Sequence, residues 1–361
     1  MDKKTDHNNW IKKDYRSGLV SVIIPTFNNA ELIGETLQSV FLQNHRPLEI
    51  IVVDDGSTDS TKETIEQQKG KYRHDLDFEI YYFYQKNKGG ATARNLGITR
   101  SRGEYIQFLD SDDLMSQNKI STQIQGLQNF PEKTAAYGSW RYFERSGKFF
   151  KVYKSYGERK TESQLKDWIS GWFVPSHSIL WKRADILALG PWDENLTADQ
   201  DGEYALRFLT SGGSFIFIEN AGVFYRQEQN LKKSNSSVSR KATSRSIKSR
   251  ISLMQRLEAL FAEKGMLDAD MRYALAQRYY EIARHWTLHH KELQQFCLNE
   301  FNRLSSNRSI SASFLHRNLK KFFGFTFTQK LKFFVRSLLG IPRQFRGDRV
   351  RSIEEVCQLE K

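Results

Sequence analysis

The sequence predicts an α/β protein built on a mainly parallel sheet, followed by a basic helical C-terminal region. Three observations carry that expectation. Short apolar runs alternate with segments of helical spacing from Val20 onward. The runs are continuous rather than alternating, as strands buried on both faces are. Polar motifs follow directly on them, and parallel sheets bind ligands beyond the carboxyl ends of their strands.

Taken in order, residues 20–24 form an apolar run closed by Pro25, and Leu32, Ile33, Leu37, Val40 and Phe41 then recur at helical spacing behind an Asn28 or Asn29 cap. Residues 48–53 read as a second buried strand, 57–68 as a helix, 78–84 as a β-rich run, 91–99 as a helix and 105–109 as a fourth strand. Such short alternation implies βαβ units. Residues 232–250, rich in Ser, Lys and Arg, read as a boundary or connector, and 251–301 as helical. No repeat of 20–50 residues is evident.

At 361 residues and 39% apolar content the chain has the composition of a globular protein with room for one large or two modest domains. Its first ten residues lack a secretory signal's apolar stretch, and no apolar run reaches 18 residues. The two cysteines, Cys297 and Cys357, sit in no ligand spacing, which fits a reducing cytosol. The net charge of +13 is uneven: from Arg226 onward 27 Lys and Arg face 12 Asp and Glu, leaving residues 1–225 at −2. The body and the C-terminal third are therefore expected to meet different partners.

Three strand-end motifs carry chemistry. Phe108-Leu109-Asp110-Ser111-Asp112-Asp113 runs an apolar strand into three acids, and in extended backbone Asp110 and Asp112 face the same way. Oxygen ligands of that kind suit a hard divalent cation, with a solvated acidic turn as the plain alternative. Asp54-Asp55-Gly56-Ser57 ends a buried strand; one of the two acids caps the turn, and the other is free to accept hydrogen bonds from a nucleoside. In residues 87–95, glycines permit close backbone approach before a new helix N-terminus, with Arg94 as a cation for a phosphate.

Together these residues resemble the family 2 inverting glycosyltransferases of GT-A fold. The likeness rests on residues 21–28, 52–59, 87–95 and 103–113 and covers roughly 19–226. It implies a nucleotide-sugar domain over 19–228, between a polar extension at 1–18 and a basic connector at 229–250, with the basic helical region at 251–361. It also implies that Pro25, Thr26 and Asp55 border the donor's base and ribose, with Asp54 a lesser contributor, and that Arg94 lies near the nucleotide. Asp110 and Asp112 match the family's Asp-x-Asp, which would hold Mn2+ or Mg2+ on the donor diphosphate, Asp112 more directly. The donor implied is a nucleotide sugar, a UDP-sugar first among candidates.

Inversion requires a carboxylate to take the acceptor's proton. The family's register in Ala198-Asp199-Gln200-Asp201-Gly202-Glu203 puts Asp201 there, but Gln200 replaces the usual Glu, which leaves Asp199 and Glu203 as rivals. Trp172 and His177 fall in the acceptor-side segment, where His177 either binds acceptor or satisfies core hydrogen bonds. The expected activity is transfer of one sugar to a glycan or lipid-linked hydroxyl in cell-surface polysaccharide or lipopolysaccharide assembly. A non-catalytic nucleotide-sugar or glycan-binding protein is the alternative. Leu331, Phe334, Val335, Leu338 and Leu339 make an apolar stripe flanked by Lys330, Lys332 and Arg336, which suits an anionic membrane surface or packing on the body. No nucleic-acid motif accompanies it, so nucleic acid is not an expected partner; without a signal or spanning run the expected location is cytoplasmic, with the inner face of the cell membrane as its peripheral alternative.

Overall fold

The computed structural model describes residues 15–130, 133–227, 243–285, 287, 289–305 and 348–359. Its centre is a seven-stranded sheet of β1 (Arg16–Thr26), β2 (Leu48–Asp54), β3 (Phe78–Tyr84), β4 (Gly103–Phe108), β6 (Thr134–Tyr137), β9 (Ile179–Lys182) and β10 (Ser214–Phe217), in the order β10-β6-β9-β4-β1-β2-β3. The pairs β4-β1, β1-β2 and β2-β3 are parallel, while β9 runs antiparallel between β4 and β6. A second sheet, β12-β8-β7-β11-β5, joins β5 (Leu114–Met115), β7 (Trp140–Ser146), β8 (Phe149–Tyr156), β11 (Val223–Arg226) and β12 (Asp348–Val350).

The strand period of two explains how one central strand serves two cores. Val20, Val22 and Ile24 of β1, with Ile50 and Val52 of β2, pack against Ile33, Leu37 and Val40 of α1 (Ile33–Phe41) and Ile65 of α2 (Thr61–Tyr72). Ile23, Ile51, Val53, Ile106 and Phe108 turn to the opposite face, under Ala93 and Ile98 of α3 (Gly90–Arg100). A Cβ on Gly97 would stand 2.3 Å from Cγ2 of Ile23, so only glycine lets α3 lie this close to β1. The remaining helices of the body are α4 (Lys119–Leu127), α5 (Gln164–Ser170), α6 (Arg183–Leu189) and α7 (Gln200–Thr210).

Helices α8 (Ser244–Glu263), α9 (Ala269–His285) and α10 (Lys291–Ser305) share that second core: Met254, Leu275, Tyr279 and Phe301 belong to the same buried cluster as Ile23, Phe108 and Trp168. The last helix, α11 (Ile353–Cys357), packs Ile353, Val356 and Cys357 with Phe143 and Phe150 of the second sheet, and Cys357 and Cys297 are both buried, free thiols.

Several boundaries differ from expectation for local reasons. The first strand starts at Arg16, because Arg16 already pairs with Gly103. Neither Asn28 nor Asn29 caps α1; Asn28, at φ 48°, bonds Ser57 and Thr58, and Asn29 bonds Thr61 and Ser111. The helix expected from Ser57 begins at Thr61, since the Asp54 carboxylate takes the Ser57 N–H and holds a turn there. Helix α8 starts within the expected connector, where Thr243 and Ser246 form a reciprocal capping box. Residues 228–242 and the amphipathic stretch 331–339 lie outside the described residues, and no helix among those described is long and apolar enough to cross a membrane.

Candidate active site

The strand-end motifs converge beyond the carboxyl ends of β1, β2 and β4. Asp54 is 1% exposed and fully used: its carboxylate accepts the Ser57 N–H at 2.8 Å and the Tyr82 hydroxyl at 2.7 Å. That hydrogen bond and burial together push the Tyr82 phenol up. Asp55 turns toward the glycine loop, accepting the Lys88 and Gly89 N–H groups at 2.8 Å and the Gln85 amide at 2.7 Å. Gly56 admits this loop at φ +87°, where a Cβ would meet the Asn87 nitrogen at 2.9 Å. Both acids thus have structural partners, and Asp55 sets the backbone before α3. Pro25 is half-buried opposite Val53, while Thr26 keeps a buried hydroxyl without a hydrogen-bond partner at the strand end.

Arg94, on the first turns of α3 and 7% exposed, lies over the Trp192 ring at 4.9 Å. Its Nη2 reaches Asp110 at 2.8 Å and Asp201 at 4.0 Å. One guanidinium therefore joins the acid at the end of β4 to the first turn of α7.

The acidic motif folds differently from the extended reading. Strand β4 stops at Phe108, and the Asp113 N–H closes a turn on the Asp110 carbonyl at 3.2 Å, so alternation ends and Asp113, not Asp112, returns beside Asp110. Asp110, Asp113 and His177 each present a ligand atom within 4.8 Å of the others. Asp112 lies outside that group, half-buried, its carbonyl accepting Arg226 Nε at 2.7 Å. Asp113 accepts the Arg226 N–H at 2.8 Å and faces Nδ1 of His177 at 3.2 Å. Burial, then the carboxylates of Asp112 and Asp110, hold the Asp113 carboxyl well above its usual range against the opposing pull of Arg226.

His177 sits in a 3-10 turn (Ser176–Ser178) before β9 and is 1% exposed. Burial pulls its imidazole down to about 4, with Asp110 raising it and Lys119 and Arg94 lowering it further, so the ring is neutral at pH 7. Its Nε2 is buried without a partner. In the tautomer in which Nδ1 donates to Asp113, Nε2 keeps a lone pair, the state in which a carboxylate-oriented histidine binds a metal, and a cation there would favour the ionised form of Asp113. His177 therefore belongs with the acidic cluster, and Trp172 packs elsewhere, edge-on to Trp168 and Tyr137.

The three acids of the α7 segment separate clearly. Asp199 pairs with Arg278 at 2.5 Å, and Glu203 binds Arg207 through both oxygens at 3.0 and 2.9 Å. Among the described residues Asp201 meets the Ser176 hydroxyl and the more distant Arg94, and 46% of its side chain stays open. Loss of hydration raises its carboxyl, Arg94 opposes, and Asp110 adds to the rise; the net shift is upward. Gln200, where a Glu was expected, donates to the Leu196 carbonyl at 2.7 Å.

Sequence reasoning missed Asp113, Ser176 and Tyr225. Tyr225 leans on His177 at 5.4 Å; burial and then Asp113, Asp110, Asp112 and Asp201 raise its phenol. The third acid of the motif was the available signal for Asp113; β11, which brings Tyr225 from more than a hundred residues away, leaves none.

Residues 21–186 match the family described as Glycosyl transferase family 2. This segment is a family 2 glycosyltransferase domain. Relatives of the domain include a protein of Rickettsia bellii named "Uncharacterized glycosyltransferase", 39% identical over 41% of this chain and 20% of the relative. Another is the "Putative teichuronic acid biosynthesis glycosyltransferase TuaG" of Bacillus subtilis, 37% identical over 34% of this chain and 46% of the relative. The chain thus spans a fifth of the first relative's length and under half of the second's. Among solved structures, "Mannosyltransferase PcManGT from Pyrobaculum calidifontis in complex with GDP-Man and Mn2+" aligns over 93% of each chain with a TM-score of 0.50 and 16% identity, a likeness of GT-A fold. The family 2 match ends before α7, so Asp201 lies beyond it.

Proposed function

We propose that this chain is an inverting glycosyltransferase that moves one sugar from a nucleotide sugar, a UDP-sugar first, to a hydroxyl of a glycan or lipid-linked acceptor. The observation that carries the reading is Arg94, which joins Asp110 to Asp201 at the strand ends. Asp201 is the general base. As the acceptor oxygen bonds to the anomeric carbon, Asp201 takes the hydroxyl proton, and the bond from that carbon to the diphosphate breaks on the opposite face. An upward-shifted carboxyl with an open face suits that task better than Asp199 or Glu203, both neutralised by arginines.

Asp110 and Nε2 of His177 would hold a divalent cation, Mn2+ or Mg2+, with Asp113 orienting the imidazole from behind and Asp112 nearby. The buried, partnerless Nε2 of a histidine that belongs to this acidic cluster is the feature that fits such an ion. When bound, the ion would neutralise charge on the departing diphosphate as a Lewis acid. Arg94 adds a fixed cation beside the same group, and Pro25, Thr26 and the loop braced by Asp55 border the nucleoside. The setting proposed is assembly of a cell-surface polysaccharide or lipopolysaccharide at the inner face of the membrane, with the basic C-terminal stretch as the contact.

A thermal-shift panel of UDP- and GDP-sugars with Mn2+, Mg2+ or EDTA tests the reading, because a ligand bound only by the folded state stabilises it by mass action. UDP-sugars should raise the midpoint only with the metal. No shift with any nucleotide sugar overturns the donor, and an equal shift in EDTA overturns the metal.

A further inference from the structure

We propose that Asp199 is a positioning residue for the base, clamped by arginines of the C-terminal helices, so that α8 and α9 form a working part of the active site. The proposal rests on the reading of Asp201 as base.

Asp199 opens α7 in the left-handed conformation, φ 62° and ψ 31°, which few residues other than glycine adopt. Its carbonyl accepts the Glu203 N–H at 3.0 Å, starting the helix. An aspartate at this position ordinarily caps the helix with its side chain, yet this one makes no such bond. Its Oδ2 instead takes Nη2 of Arg278, on α9, at 2.5 Å. Burial alone would push this carboxyl up, but Arg278, and Arg250 on α8, together hold it below its usual range. Its Oδ1 lies over Gly202, where any Cβ would come within 2.5 Å of it.

The consequence is geometric. Asp201 stands two residues on, in the first turn, and its direction follows from the backbone at Asp199. The anchor comes from α8 and α9, far along the chain and outside the family 2 match. A base displaced by about 1 Å loses on the order of 100-fold in rate without any change in what binds the nucleotide.

The test measures release of UDP or GDP from whichever of UDP-N-acetylglucosamine, UDP-glucose or GDP-mannose stabilises the full chain, in wild type, Arg278→Met, Arg278→Lys, Gly202→Ala, Asp199→Asn and Asp201→Asn. Arg278→Met and Gly202→Ala, which disturb the carboxylate from opposite sides, should each lower kcat by ~10-fold or more and leave KM for the nucleotide sugar within about 2-fold. Arg278→Lys should recover part of the loss. The pair Asp199→Asn with Arg278→Met should be no slower than the worse single change, as for groups acting as a unit. Because the new Cβ of Gly202→Ala would crowd Oδ1, its thermal midpoint is read alongside, and a purely structural role predicts that kcat falls only in proportion to the folded protein lost. Turnover within 2-fold of wild type in Gly202→Ala and Arg278→Met, or a loss matched by a rise in KM, overturns the proposal; should Arg278→Met not fold, Gly202→Ala and Arg278→Lys decide. Full turnover in Asp201→Asn instead removes the base assignment itself, so the two failures are distinguishable.

Discussion

Replacing Asp55 by alanine should destabilise the protein by about 3 kcal/mol, with any loss of UDP affinity arriving together with that destabilisation, since Asp55 braces the loop rather than touching the nucleoside. The carboxylate accepts three hydrogen bonds, from Gln85, Lys88 and Gly89, at 2.7–2.8 Å. Bonds to an ionised group contribute about 1.5–3 kcal/mol each. Lys88 is exposed and Gly89 partly so, so water reaches the freed N–H groups and the low end applies to two bonds, with the Gln85 amide free to rotate to solvent. Asp55→Asn should cost about 2 kcal/mol, since one oxygen remains while the amide NH2 faces a backbone donor. Guanidinium unfolding, with the slope checked for constancy, gives the stabilities, and calorimetry with UDP gives the affinity. Loss of UDP affinity with a stability change below about 0.5 kcal/mol would refute this reasoning and make Asp55 a direct ligand of the nucleoside.

Further outcomes can be stated briefly. Asp201→Asn should cut turnover by ~10²-fold or more with donor affinity intact, read from steady-state kinetics. Asp110→Asn should abolish the metal-dependent part of UDP stabilisation in thermal shift, while stabilisation that survives unchanged with Mn2+ would argue against a cation there. Lys119 is fully buried, its amine pulled well down by burial, and it bonds the side-chain oxygens of Gln107 and Gln123. Lys119→Met strands both oxygens and should cost about 2–4 kcal/mol in urea unfolding. The carboxyls of Asp193 and Asp199 are both held below the usual range, against burial, by Arg256 and by Arg278 with Arg250. Their stabilisation is complete above the unfolded-chain value of about 4 and is lost as pH falls through the lower folded values. The links from α8 and α9 to the body should therefore weaken below about pH 4, and tryptophan fluorescence should show this shifted upward in Arg278→Met.

How much was legible depended on how local the cause was. Strand β2 was legible to within a residue because burial on both faces writes itself as an apolar run, and β3, a half-buried edge strand, through its run of aromatic and β-branched residues. Asp201 was favoured over Asp199 and Glu203 by register, and the arginines that engage the two rivals are consistent with that preference. The reading of Asp110 and Asp112 as a same-face pair assumed extended backbone, whereas the chain turns there, with the Asp113 N–H on the Asp110 carbonyl. The loop role of Asp55 was hidden because its partners are backbone N–H groups, which carry no residue identity. Tyr225, Arg226 and Arg278 reach the site across strand and helix packings that no short-range pattern encodes.

The three residues of β12, Asp348, Arg349 and Val350, pair along β8, with α11 closing over Phe143 and Phe150. β12 also occupies the outer edge of β8, which removes a row of unpaired backbone groups from exposure.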